Sequence, residues 1–181
     1  MKRFLTLALI LSPTVALAHP GHGTGFLAGL DHPYSGMDHM LAMVAVGLWA
    51  AVIGGRAIWA LPLAFVAAML AGGALGMAGV ALPGGEPAIL ASVIVLGVAA
   101  GMLAQPPLVV ALGAVALFGL AHGNAHGLEA PAVGFAGFAA GFVLATASLH
   151  GAGLLAGRAM GLVPRLVGFG IAGAGVLLAL A

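Results

Sequence analysis

"HPYSGMDHMLAMVAVGLWAAVIGGR", residues 32–56, decides the fold class. Its head carries His32, Asp38 and His39; from Met40 to Ile53 no charged side chain follows, and Gly54-Gly55-Arg56 closes the run. A helix that crosses a bilayer needs about 20 mostly apolar residues, and residues 33–54 supply them. The run is too long for a barrel strand and lacks strand alternation. Ionisable groups inside a membrane are costly and mark a path or a site. The head of this run is therefore as informative as its apolar body.

The rest of the chain agrees. Of its 181 residues 63% are hydrophobic and 5% charged, with 31 glycines. A soluble domain is about 25% charged, so this chain has too few charges to cover a water-facing surface. The reading is an all-α polytopic membrane protein of one domain. The absence of cysteine excludes disulfides, thiolate metal sites and a Cys nucleophile. No basic patch offers itself to nucleic acid.

The N-terminus reads as a signal peptide over residues 1–18. Lys2 and Arg3 precede a short apolar stretch, and Ala16-Leu17-Ala18 is an A-x-A cleavage signal. The mature chain, residues 19–181, would begin at His19 outside the cytoplasm. Six spans are expected, at about 33–54, 57–80, 88–104, 107–126, 131–156 and 162–181. Glycine and proline mark the breaks between them. The connections are short, so sequence neighbours are expected to pack antiparallel. With the N-terminus outside, Arg56, Arg158 and Arg165 all fall on the cytoplasmic side, as the positive-inside rule requires. Asp31, Asp38, Glu86 and Glu129 fall outside, and so does the C-terminus. Glycines four apart (72/76, 97/101, 119/123, 137/141 and 153/157) predict close helix packing. "GLDHPYSG" (29–36) and "GLEAPAVG" (127–134) share a pattern that would fit an internal repeat.

Three clusters carry chemistry. In the first, Pro33 suits the first position of a helix, which makes His32 a cap at its mouth. Seven residues of straight helix rise about 10 Å, too far for His32 and His39 to share one ion. Either Pro33 and Gly36 bend the segment, or His32 serves an outer site and Asp38 and His39 a deeper one. Asp31 reads as interfacial, and Met37, Met40 and Met43 as core filler more than thioether ligands. The second cluster is "AHGNAHGLE", residues 121–129. His122 and His126 share one helix face and can grip one divalent ion, as paired histidines do in helical zinc sites. Glu129, beyond a Gly127 expected to end the helix, can ligate or orient a histidine. The third is "TASLHG", residues 146–151, where His150 is a secondary metal contact or a structural histidine. His19 and His22 are further candidate contacts at the mature N-terminus. Both main clusters lie near the outer ends of their helices. Their nitrogen and oxygen donors suit Ni²⁺, Co²⁺ or Zn²⁺ better than Cu(I).

On these residues the chain resembles the HupE/UreJ family of nickel/cobalt permeases. His32, Asp38 and His39 match the family's His, five residues, Asp-His pattern. "AHGNAHGLE" matches its F-H-G-x-A/V-H-G-x-E pattern, with Ala121 in place of the usual Phe. The resemblance implies uptake of Ni²⁺ or Co²⁺ across the bacterial cytoplasmic membrane, to serve hydrogenase, urease or cobalamin synthesis. It implies that the motif residues are essential. No further cofactor is expected, the metal being substrate, and a homo-oligomer is possible.

Secondary or facilitated uptake is the leading reading. The chain has no G-x-x-x-x-G-K-[ST] loop to bind ATP. Two alternatives remain at this point. One is an intramembrane zinc-dependent hydrolase, although no H-E-x-x-H is present. The other is an accessory membrane protein that binds metal without moving it.

Overall fold

Gly36 divides the first apolar run. In the computed structural model, which describes residues 25–130, 134–159 and 162–181, α1 spans Phe26–Ser35 and α2 spans Met37–Ile53. The two are bent by 88°. Pro33 has no N–H to donate to the carbonyl four residues back, which weakens the last turn of α1. Gly36 then adopts extended backbone, φ −109° and ψ 118°. Pro33 thus lies inside α1, not at a first helical position, and His32 sits in the final turn and not at an N-terminal cap. The expected single helix over 33–54 is replaced by a broken pair that begins at Phe26.

The remaining helices are α3 (Ala57–Met77), α4 (Gly85–Gly101), α5 (Leu108–Glu129), α6 (Phe135–Gly157) and α7 (Val163–Leu180). The described residues are all-helical. By length and hydropathy, α3, α5, α6 and α7 can each cross a membrane, and α1 with α2 passes as one bent pair. α4 is shorter, at 17 residues. These are the helices of a multi-pass membrane protein. The signal peptide, His19 and His22 lie outside the described residues.

The tightest packing does not join sequence neighbours, contrary to expectation. α3 lies on α5, α2 and α1 on α6, and α4 on α7. Glycine placement explains the choice of partner. A Cβ at Gly123 or Gly127 of α5 would overlap the Met69 or Gly73 carbonyl oxygen of α3. One at Gly153 would overlap the Val44 carbonyl oxygen of α2, and one at Gly141 the Phe26 carbonyl oxygen of α1. Lipid is as apolar as leucine, so backbone approach of this kind drives helix association. Gly127 packs inside an interface and the helix continues through it to Glu129, so the expected stop at Gly127 is not observed.

Large apolar side chains point outward, among them Leu27, Trp59, Val109, Leu155 and Leu177. The interior holds Leu61, Phe65, Val93 and Leu96, and also Ser92, His122, Asn124, Thr146 and His150. Buried polar groups are expensive unless partnered, so where these five find partners is the question the site answers.

Candidate metal centre

The bend at Gly36 folds the end of α1 back beside α5 and α6. His32 Nε2 comes 3.0 Å from His126 Nδ1. The His39 ring, at the start of α2, lies 4.4 Å from that of His126 and 4.9 Å from that of His122. Four imidazoles thus form a file in the order His32, His126, His39, His122. The segment is bent at Gly36, and both motif histidines of the first run touch His126. Gly36 also leaves room at the bend: a Cβ there would sit 3.0 Å from Asp38 Oδ1 and 3.1 Å from His39 Nδ1.

Donor roles follow from the hydrogen bonds. Asp38 Oδ1 accepts from the His39 backbone N–H at 2.8 Å and lies 2.8 Å from His39 Nδ1. A carboxylate only accepts, so Nδ1 carries the proton and Nε2 presents a lone pair. Asp38 therefore orients a histidine, the usual second role of a carboxylate beside a metal-binding imidazole. His122 is fixed from the other side of the bundle. Ser92 of α4 donates its hydroxyl proton to the Ile89 carbonyl at 2.6 Å, and its oxygen lies 2.9 Å from His122 Nε2. With that proton committed, Nε2–H is the donor and Nδ1 keeps its lone pair. His39 Nε2 and His122 Nδ1 are buried without a hydrogen-bond partner among the described residues. Such orphaned lone pairs call for an explanation such as an ion.

At the other end of the file, His32, His126 and Glu129 each offer a donor atom, all within 4.8 Å of one another. Glu129 is exposed while the two histidines are half-buried. Phe138 and Phe142 of α6 back this end, with the Phe142 ring 4.6 Å from that of His126 and the Phe138 ring 5.4 Å from that of His32. Tyr34 of α1 and Ser148 of α6 pair through their hydroxyls at 2.5 Å. Ser148 gives its own proton to the Ala145 carbonyl, so Tyr34 is the donor. This contact ties the end of α1 to α6.

The six motif residues, distant in sequence, are therefore gathered in one region, with His32, His126 and Glu129 at one end and Asp38, His39 and His122 at the other. His150 stands apart from this file. Ser92 went unread in the sequence, as did Asn124. The latter accepts from the Leu82 N–H at 2.8 Å and donates to the Val80 carbonyl at 2.7 Å. It staples the segment after α3 to the helix that carries both histidines. The only signal for Ser92 was its place as the single hydroxyl in α4.

A family model described as "HupE / UreJ protein" matches residues 7–178. The chain belongs to the HupE/UreJ family. It is 48% identical over 151 residues to "Protein HupE" of Rhizobium leguminosarum bv. viciae, covering 82% of this chain and 79% of that protein. No solved structure matches this HupE/UreJ chain.

Proposed function

We propose that this protein takes up Ni²⁺ or Co²⁺ across the bacterial cytoplasmic membrane by facilitated or secondary transport. The HupE/UreJ family is generally related to nickel and cobalt uptake, which gives the class of substrate. The observation that carries the proposal is the file of four imidazoles, in which Asp38 holds His39 and Ser92 holds His122 so that each of these two keeps a lone pair for an ion. His32, His126 and Glu129 would replace part of the hydration shell first. His39 and His122 would then receive the ion deeper in the bundle. Binding has to stay moderate, since conduction needs release as well as capture.

The arrangement in the membrane is part of the proposal. Six crossings place both termini outside, with the α1–α2 pair as a broken first span and α4 as a short one. At 1.5 Å per residue α4 reaches about 25 Å, slightly less than a hydrocarbon core of about 30 Å, and local thinning accommodates such a mismatch. The arginines at 56, 158 and 165 then face the cytoplasm. The membrane potential favours cation entry by about 2.3 kcal/mol per charge per 100 mV, so no nucleotide is needed. Inside, a hydrogenase, a urease or cobalamin synthesis would use the metal.

The experiment is uptake into vesicles that hold a Ni²⁺- and Co²⁺-sensitive dye, with Zn²⁺ as competitor. Wild-type protein is expected to produce an internal signal, and His126→Ala none. Metal bound to the protein with no internal signal would instead make it an accessory binder.

A further inference from the structure

Two buried polar side chains lie outside the four-histidine file, and no hydrogen bond among the described residues accounts for their polar atoms. His150 is 2% exposed and Thr146 is 0% exposed. Among the described residues, both ring nitrogens of His150 and the Thr146 hydroxyl lack a hydrogen-bond partner. They are four residues apart on α6, so they share a helix face one turn apart. A histidine that merely filled the core would have settled on a hydroxyl or carbonyl, because an unpaired buried polar group costs stability. Ser92 and Asn124 show that this bundle does satisfy its polar groups when they are structural.

What adjoins the pair is specific. Phe65 of α3 is fully buried, and its ring lies 5.5 Å from that of His122 and 5.4 Å from that of His150. Ring contacts therefore run from His122 to Phe65 and from Phe65 to His150.

We infer that His150 and Thr146 form an inner relay site for a divalent cation, next to the Phe65 ring that also touches His122 of the four-histidine file. It rests on the uptake reading and adds a second station to it. Its chemistry is one imidazole nitrogen and one hydroxyl oxygen, with water completing the shell. So few ligands hold an ion weakly, as a station next to release requires. Phe65 touches both stations, and the ion passes when that ring moves.

The test uses the full-length protein and Co²⁺. His150→Phe keeps the ring volume beside Phe65 and removes both nitrogens, and Thr146→Val removes the hydroxyl at nearly constant shape. Internal Co²⁺ signal is measured in vesicles, and Co²⁺ binding by equilibrium dialysis on purified protein. His150→Phe is expected to cut uptake at least as much as the roughly 10–100-fold that loss of an outer-shell partner costs a metal site. It should leave Co²⁺ capture by the first station unchanged, and Thr146→Val should fall between it and wild type. Wild-type uptake by His150→Phe overturns the inference. So does joint loss of uptake and capture, which would make His150 structural. Wild-type vesicles with no internal signal overturn the uptake reading itself, and the inner station with it, before any variant is compared.

Discussion

Two helix pairs in this protein are built alike and do different things. α3 packs on α5 through Gly72, Gly76, Gly119, Gly123 and Gly127, and α4 packs on α7 through Gly97, Gly101, Gly168 and Gly175. In both, glycines let the helices approach where a side chain would not fit, although Gly175 faces the Val93 and Ile94 side chains and Gly101 the Phe169 ring. Yet α5 carries His122, Asn124 and His126 between its glycines, while the α4–α7 seam is lined by Val93, Ile94 and Ala172. Small-residue spacing tells where helices touch. It does not tell which contact has a function. That information sits in the polar residues interleaved with the glycines, and the way to separate the two is to damage each independently.

The largest separation is expected from His126→Ala. His126 touches His32, His39 and Phe142, so it joins the two ends of the file. Uptake should fall to background while the thermal melting point in detergent falls much less, since α5 is held to α3 chiefly by backbone packing at its glycines. A melting point lowered as far as uptake would make His126 a packing residue. Next comes Ser92→Ala, which crosses the comparison because Ser92 belongs to α4 yet serves a histidine of α5. Freed from the serine, His122 can protonate Nδ1 instead of Nε2 and lose the lone pair offered to metal. Loss of such an outer-shell partner costs about 10–100-fold in affinity or activity. Ser92→Thr, which keeps the hydroxyl, should restore most of it. Equal uptake by Ser92→Ala and wild type would remove the tautomer argument.

Much of this was legible in the sequence. Apolar run length gave the all-helical class, and the i, i+4 pair His122/His126 marked one wall of the candidate site. The His-x5-Asp-His spacing gave the other wall, but not how the two meet. Hydropathy does not register an 88° bend, because Pro33 reads equally well as the start of a helix or as the weak point of its last turn. Gly127 misled for a related reason: a lone glycine signals a helix end only when nothing packs on it, and here Gly73 does. Partner choice among the helices was illegible as well. Each glycine face fits several others in principle, and the selection of α3 for α5 is tertiary. Ser92 offered one hydroxyl in an apolar helix, with no periodicity to connect it to His122 some 30 residues later.

Gly123→Ala damages the α3–α5 seam itself. The new methyl would overlap the Met69 carbonyl oxygen, and backbone cannot swing aside. Overpacking of this kind costs about 1–3 kcal/mol, which should lower the melting point. Because residue 123 lies between His122 and His126, uptake per folded molecule should fall too. A variant that melts early but transports normally would show that the seam and the site are uncoupled.

Gly101→Ala is the matched change in the α4–α7 seam, and the smallest effect is expected there. Its methyl would meet the Phe169 ring at 2.9 Å from Cγ and 3.0 Å from Cδ1, and the Phe169 backbone nitrogen at 3.0 Å. The ring is half exposed, so the side chain and the backbone at Phe169 have room to shift together by a few tenths of an ångström, whereas the Met69 carbonyl at Gly123 has none. The cost should stay near the lower end of the overpacking range, about 1 kcal/mol. Uptake per folded molecule should be unchanged, because no ring of the histidine file touches this seam. Measured side by side, the two alanines ask whether close packing matters to transport wherever it occurs, or only where histidines are threaded through it. If Gly101→Ala reduced uptake as much as Gly123→Ala, the α4–α7 pair would be a moving part and not a scaffold. Ser92, riding on α4, would then be the residue through which that motion reaches His122.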